Sequence, residues 1–315
     1  MADRFFGELV APTFDVLFER ALTYLVRHPD HVCAPRGHRV KERLVQTLVL
    51  TNPRARTLAV HAREPNYGFA AGEFLWYWGG REDLDMISYY NRRSSNFSDD
   101  GKTLNSAYGK RLMNPTDPWT ISQWEVCKQT LREDNDSRRA VMLINSPWDE
   151  LVAVTQGSKD VPCTLSLQFF IRERRLDLHV NMRSNDVVWG LTNDLFSFTL
   201  FQEMMLLELR EDPRLRDLSL GTYYHTAASL HIYERHFGMA EECLRQYAAG
   251  VSSVPMEPLT DRPAMDRLML DEARLRNREI PSIDVSSYSG GERWLAERLN
   301  EHRLKRDAEE DRKKT

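Results

Sequence analysis

Cysteine is scarce in this chain of 315 residues: only Cys33, Cys127, Cys163 and Cys243 are present. They are widely scattered, with no pair at zinc-site spacing, so neither a disulfide framework nor a metal site is expected. Each is by default a small buried hydrophobe. No apolar run approaches the ~20 residues of a membrane-spanning helix. Met1-Ala2-Asp3-Arg4 lacks the basic-then-apolar plan of a secretory signal, and a cytoplasmic protein is the expectation. A basic surplus is missing too. The net charge of −4 gives no global field to attract a nucleic-acid polymer. There is no internal repeat and no low-complexity tract.

What is present is 41% hydrophobic residues, enough for one large domain or two small ones whose core needs no staples. Thr13 is positioned to cap a helix over 13–28, with Phe14, Leu17, Phe18, Ala21, Leu22 and Leu25 at helical spacing and Pro29 ending it. Residues 44–60 read as two short strands, or a strand and a turn, around Asn52-Pro53. An aromatic helix spans 67–90 and ends near Gly79-Gly80; 91–106 is a loop; a helix at 120–132 precedes a strand at 139–145. Between 163 and 183, alternating apolar residues predict two strands joined at Arg172-Glu173-Arg174-Arg175. Helices follow at 194–210 and 238–249. After Pro255 the chain is charged and reads as irregular, with an amphipathic helix around Trp294, Leu295 and Leu299 and a solvated or disordered tail from Lys305. The expectation is an α+β protein with a main domain over 1–250 and a charged extension over 251–315.

Six segments carry the chemistry: Glu73-Phe74-Leu75-Trp76-Tyr77-Trp78-Gly79-Gly80; Ala107-Tyr108-Gly109-Lys110; Asp136-Ser137-Arg138-Arg139; Pro162-Cys163 with Gln168-Phe169; Arg183-Ser184-Asn185-Asp186 with Gly190; and His231-Ile232-Tyr233. In this order and at these intervals they resemble the thymidylate synthase family, over about Gly72 to Tyr233 or roughly half the chain. The resemblance implies a mixed β-sheet flanked by helices, dimerising through the sheet, and a nucleoside monophosphate substrate with 5,10-methylenetetrahydrofolate as one-carbon donor.

The reaction explains the residue types. Carbon 5 of a pyrimidine is a poor nucleophile until a group adds at carbon 6, and a thiolate both adds and leaves. By resemblance Cys163 is that group, with Arg183 as its neighbouring positive charge and a phosphate ligand beside Ser184. Glu73 lies in an apolar helix, where a carboxylate needs a task or a partner; a raised pKa would let it move protons. Tyr108 is expected to assist proton removal from carbon 5. Arg138 and Arg139 are adjacent and so point to opposite faces of a strand; the family sends this pair into the partner's phosphate site, which implies an obligate homodimer. The family's N-terminal Arg-Thr-Gly-Thr-Gly loop is missing here, leaving Arg36, Arg39 and Arg43 as candidates, of which Arg39 is preferred. His231 and Tyr233 share one face of an extended segment and are expected on the sugar 3′-hydroxyl. Asp186, with Gly190, marks the expected folate contact.

The departures from the family bear on the base. Thymidylate-forming synthases carry Asn four residues beyond the glycine that is Gly190 here; this chain has Asp194 there, beside Asn193. An amide donates to uracil O4 and accepts from N3–H, whereas an ionised carboxylate only accepts and suits the cytosine amino group. Facing uracil O4 it would cost about 1–3 kcal/mol. Cytidylate 5-hydroxymethylases of this superfamily carry the same exchange and capture the methylene with water. In keeping with that, Thr164 replaces the histidine after the nucleophile, and the polar run Tyr89-Tyr90-Asn91-Arg92-Arg93-Ser94-Ser95 replaces a tryptophan-rich loop. Arginine outnumbers lysine, as in GC-rich bacterial genomes, which favours CMP over dCMP. The rival expectations are methylation of dUMP and an inactive nucleotide- or folate-binding regulator.

Overall fold

The structure is a computed structural model that describes residues 7–115 and 120–314. In chain order its regular elements are β1 (Leu9–Ala11), α1 (Phe14–Arg27), β2 (His31–Cys33), β3 (Val40–Leu50), α2 (Tyr67–Trp78) and α3 (Leu84–Tyr90). Then come α4 (Tyr108–Met113), α5 (Gln123–Glu133), β4 (Val141–Leu143), α6 (Pro147–Gln156), β5 (Thr164–Arg172) and β6 (Arg175–Met182). The remainder is β7 (Asn185–Asp186), α7 (Gly190–Leu209), β8 (Ser219–Tyr233), α8 (Phe237–Ala248), α9 (Arg262–Arg276) and α10 (Gly290–Lys314). The Thr13 hydroxyl accepts from Val16 N and caps α1, as its position in the sequence predicts.

The strands form one mixed sheet in the order β1-β3-β8-β6-β5-β4, with β2 added to β3 and β7 to β8. β1 and β3 run parallel, β3 and β8 antiparallel, β8 and β6 parallel, and β6, β5 and β4 antiparallel in turn. Period-two alternation sends Leu167, Phe169, Leu176, Leu178 and Val180 to one face, where they are fully buried with α7. That helix lies deep in the core, with Leu195, Phe196, Phe198, Leu200, Phe201 and Met204 all buried. The opposite face carries Thr47, Phe170, Asp177, His179, Tyr224 and Thr226, which line a shallow hollow of about 370 Å³. The fold is α+β. Among the described residues no helix is long and apolar enough to cross a membrane.

Across four stretches the structure meets one sequence-based expectation and corrects three. Residues 44–60 take the second form expected, a strand and a turn: β3 continues to Leu50, and Ala55 N donates to Asn52 O at 2.9 Å in the turn. The irregular stretch after it is tied down by buried Arg56, whose guanidinium donates to Glu203 at 2.5 Å. The helix expected over 67–90 is two helices, because Gly80 turns the chain at φ 62° and Asp83 caps a new start at Met86 N. Of β8, only the extended segment at 231–233 is expected from the sequence, although the strand begins at Ser219 and lies in the interior of the sheet. Finally, the stretch after Pro255 is not irregular: α9 and α10 fold back, and residues 305–314 are helical. Their charges pair along the helix, Arg303 with Asp307 at 2.8 Å and Arg306 with Glu310 at 3.6 Å. Their aromatic groups pack inward, Trp294 on Tyr67 at 5.3 Å and His302 on Tyr90 at 4.8 Å between ring centroids.

Candidate active site

A cavity of about 830 Å³ opens between α2, α7 and the sheet. Cys163, Glu73, Tyr108, Asp194, Arg183 and Ser184 line it, as do Asp186, Gly190, His231 and Tyr233. Ten of the residues singled out in the sequence therefore meet around one space. Arg138 and Arg139 do not; both are exposed, just before β4.

Cys163 stands one residue before β5, and its carbonyl accepts from Arg183 N at 2.9 Å. The Arg183 guanidinium donates to Pro162 O at 3.0 Å and Val161 O at 3.2 Å, bracketing the thiol's approach. Burial pushes the Cys163 thiol up, against the pull of Arg183 and Arg36, and Asp194 adds to the rise. The net direction is upward, so without a ligand the group is a thiol. Arg183, the neighbouring positive charge expected from the sequence, exerts the larger of the two downward pulls on the thiol, and desolvation of the sulfur opposes it.

Glu73 comes from the cavity side of α2, one turn before Tyr77, whose hydroxyl donates to Glu73 Oε1 at 3.4 Å. Burial, and then the charge of Asp194, raise the Glu73 carboxyl to about 8. Burial likewise raises Asp194 to about 7, with the hydrogen bond from Asn185 opposing and Asp186 adding. Two carboxyls held toward the neutral form, Glu73 in part by the charge of Asp194, line the same cavity, an arrangement suited to proton transfer at neutral pH. Tyr108 is held by stacking between Tyr77 and Phe198, with centroids at 5.2 and 5.9 Å. Its hydroxyl is held well above the usual phenol range by burial, then by Asp194 and Cys163.

Asp194 and Asn193 both line the cavity at the start of α7. Asp194 is the one whose charge reaches Glu73, Tyr77, Tyr108, Cys163 and Tyr223. Its Oδ2 accepts from Asn185 Nδ2 at 2.7 Å. Gly190 makes room for that bond, since a Cβ at 190 would lie 3.0 Å from Asn185 Nδ2. Asp186 accepts from the backbone of Val188 and Trp189 at 3.1 and 3.2 Å, so one of its tasks is to shape the turn into α7.

At the other end, His231 and Tyr233 sit two apart on β8 and face the cavity together, their rings 5.1 Å apart. Glu42 is the register partner of His231 on β3 and accepts from Ser229 Oγ at 2.5 Å; Glu42 and Ser229 both line the cavity. Of the three N-terminal arginines, Arg36 lines the cavity. Arg39, the one preferred from sequence, is turned away, paired with Glu234 at 2.8 Å and mostly exposed. Arg43 is buried against the Tyr24 ring at 4.7 Å. The tight turn at Gly37 (φ 79°) sends Arg36 and Arg39 in different directions, a geometry that residue spacing alone does not reveal.

Sequence reading also missed the cavity's mouth. Phe97 and Trp189, 54% and 41% exposed, line it with Phe69 and Asn91. Trp189 is braced by the Arg63 guanidinium over its ring at 4.2 Å and donates from Nε1 to His236 at 2.9 Å. Trp189 and Phe97 thus present exposed aromatic faces to the cavity.

A model of the thymidylate synthase family matches residues 51–285. The deoxyuridylate hydroxymethyltransferase of Bacillus phage SP01 is 32% identical over 247 residues, covering 75% of this chain and 62% of that protein. The deoxycytidylate 5-hydroxymethyltransferase of Enterobacteria phage T4 is 30% identical over 138 residues, covering 44% of this chain and 55% of that protein. The chain thus spans less than two thirds of the length of these curated relatives. Among solved structures, thermostable thymidylate synthase A from Bacillus subtilis matches with a TM-score of 0.58 at 17% identity, over 79% of this chain and 86% of that one. At that identity the likeness concerns the fold.

Proposed function

Because the chain belongs to the thymidylate synthase family, we propose that it is a pyrimidine nucleotide 5-hydroxymethyltransferase whose substrate is a cytidylate, CMP in preference to dCMP. The observation that carries this reading is the convergence of Cys163, Glu73, Tyr108 and Asp194 on one cavity, with the carboxylate of Asp194 at the position where the resemblance to thymidylate-forming synthases expects an amide. The relatives named for hydroxymethyl transfer support the reaction type.

In this mechanism Arg36 and Arg183 hold the phosphate, with Ser184, and their charge together with binding draws the Cys163 proton away. The sulfur adds to carbon 6 of the base, and the electron pair displaced through the ring makes carbon 5 nucleophilic. Asp194 holds the exocyclic amine as acceptor and the N3 proton that balances that charge. A reduced folate bound between Trp189 and Phe97 would supply the one-carbon unit at the oxidation level of formaldehyde. Tyr108 assists removal of the carbon 5 proton by relaying it through its hydroxyl to a site water while remaining a phenol. Glu73, in its ionised form, positions the water that ends as the new hydroxyl and accepts its proton. Cys163 then leaves carbon 6. Hydrophilic residues at 91–96 leave that water a path to the site.

The sugar preference rests on Glu42. It is an acceptor beside His231 at the sugar end, bound to Ser229 and in weak contact with Cys33 at 3.7 Å. A ribose 2′-hydroxyl offers Glu42 a further donor beside Ser229 Oγ; a deoxyribose offers none. We further propose a homodimer formed through the open sheet face around Phe170, His179 and Tyr224, with Arg138 and Arg139 reaching the partner's phosphate.

A second reading, dUMP as substrate, is favoured by the likeness to the deoxyuridylate hydroxymethyltransferase of Bacillus phage SP01 and by one observation at the site. A protonated Asp194 offers an O–H donor and a C=O acceptor, the pattern uracil needs, and a carboxyl raised to about 7 is often protonated. Release of tritium from carbon 5 of labelled CMP, dCMP and dUMP separates the two. Release from CMP, with a product heavier by a hydroxymethyl group, supports the proposal; release from dUMP alone overturns it.

A further inference from the structure

Leading back from Asp194 into the core, three side chains form a hydrogen-bonded row, of which Asn185 also lines the cavity. Tyr223 Oη is 2.9 Å from His225 Nδ1, His225 Nε2 is 3.2 Å from Asn185 Oδ1, and Asn185 Nδ2 donates to Asp194 Oδ2 at 2.7 Å. Tyr223 and His225 are wholly buried on the core face of β8, and Asn185 is buried on β7. Neither Tyr223 nor His225 lines the cavity.

We propose that Tyr223, His225 and Asn185 are positioning residues that fix Asp194 with Oδ2 turned inward and Oδ1 toward the base, so that its exchangeable proton is carried on Oδ1. This rests on the reading that Asp194 holds the base. The row has only one consistent direction when Asn185 donates to Asp194. Its amide oxygen is an acceptor, so His225 must present N–H at Nε2. Burial holds His225 down at about 3, so the ring is neutral and carries that one proton only. Its bare Nδ1 then accepts from the Tyr223 hydroxyl. Turning the Asn185 amide over would require the His225 proton to change nitrogen and the Tyr223 hydroxyl to rotate, three changes at once. Oδ2, already occupied by a donor, is the poorer seat for a proton. Oδ1 is left to give one to N3 of cytosine and to accept the amine's hydrogen bond.

The titratable groups facing Asp194 are Glu73 and Tyr77 on α2, Tyr108 on α4, Cys163 before β5, Asp186 on β7 and Tyr223 on β8. None is a cation. The Asn185 N–H is the contact that pulls the Asp194 carboxyl down. Breaking the row behind Asn185 frees the amide to turn, removes that pull and lets the proton settle on either oxygen.

The test compares His225→Phe, His225→Gln and Tyr223→Phe with the unaltered protein. The readouts are kcat/KM for CMP and UMP from pH 6 to 9, each with KM and kcat separated. Gln presents an N–H close to the place of His225 Nε2, so it restores the link that Phe removes. The expected result is a loss of about tenfold or more in the CMP-to-UMP preference for His225→Phe, equivalent to one lost buried hydrogen bond. It is accompanied by an alkaline shift of the falling limb, recovery in His225→Gln, and a smaller shift of the same sign in Tyr223→Phe. A folded His225→Phe or Tyr223→Phe protein with unchanged base preference and unchanged pH profile overturns the proposal. If His225→Phe does not fold, Tyr223→Phe decides alone. Should the unaltered protein fail to turn over any cytidylate, it is the functional reading that falls, a result distinct from either.

Discussion

Tyr77 and Tyr108 lie face to face, ring centroids 5.2 Å apart and planes within 14°. Gly109 permits this, because a Cβ there would lie 2.1 Å from the Tyr77 carbonyl oxygen. The close approach of α4 to α2 thereby sets the phenol of Tyr108 and the carboxyl of Glu73 on the same wall. Substituting Ala for Gly109 therefore has to push two helices apart, at a cost of about 1–3 kcal/mol. We expect a lower melting temperature together with a fall in kcat larger than the change in KM; a fully active Gly109→Ala enzyme would contradict the fit.

Cys163→Ser is expected to abolish turnover and the covalent adduct together. With a 5-fluoro cytidylate, fluorine cannot be taken from carbon 5 as a proton, so the adduct of the unaltered enzyme should accumulate in the presence of folate. Intact-protein mass spectrometry reads it directly. An adduct in the serine variant would place the nucleophile elsewhere.

Replacing Asp194 with Asn restores the amide that pairs with uracil O4 and N3–H. The ratio of kcat/KM for cytidylate to that for uridylate should fall by about tenfold or more. Competition assays with both nucleotides measure it, and an unchanged ratio would remove Asp194 from base selection.

Arg36 and Arg39 make opposite predictions although three residues apart. Arg36→Ala should raise the nucleotide KM by about tenfold, from loss of a charge-assisted phosphate contact. It should also move the rising limb of the pH profile upward, since Arg36 pulls the Cys163 thiol down. Arg39→Ala breaks only an exposed ion pair with Glu234 and should leave KM within about twofold. The reverse pattern would show that the turn at Gly37 is different in solution.

Glu73 and Asp194 also link stability to pH. Both carboxyls are raised in the folded protein, to about 8 and about 7, from ordinary values of 4.5 and 3.8. Between those limits the native state binds more protons than the unfolded chain, so unfolding free energy falls as pH rises. The penalty is absent below the ordinary values and complete above the raised ones. Melting curves from pH 5 to 9 should show this decline, and Glu73→Gln should flatten it. A Glu73→Gln variant that declines as steeply as the unaltered protein would mean that Glu73 is ionised in the fold.

Much of the site was legible in the sequence because the chemistry constrains residue type at fixed intervals. Cys163, Glu73, Tyr108, Asp194, Arg183 and His231 meet in one cavity without any of them needing a corrected number. What was not legible depends on tertiary placement. Arg36 and Arg39 differ only in which way one turn points them. His225 and Asn185 read as ordinary polar residues until β7 and β8 are paired. The interior role of β8 was hidden because Ala227, Ala228 and Ser229 interrupt its β-prone residues, and neighbours on both sides supply what local preference lacks. The charged run after Pro255 looked unfoldable for the opposite reason: its charges satisfy one another along a helix, and its few aromatic groups find Tyr67 and Tyr90 far away in sequence.

β8 pairs with β3 from Val40–Tyr233 to Leu50–Tyr223, and with β6 on its other side. Among the described residues no other strand joins those two neighbours, so the sheet cannot zip up from one edge; a late strand must slide into a slot between parts made much earlier. Loop closure over such a separation is slow. Since the sugar-facing His231 and the whole row behind Asp194 arrive on that same strand, a half-folded chain has no half-strength site. Nucleotide recognition should switch on in one step, when the final seam closes.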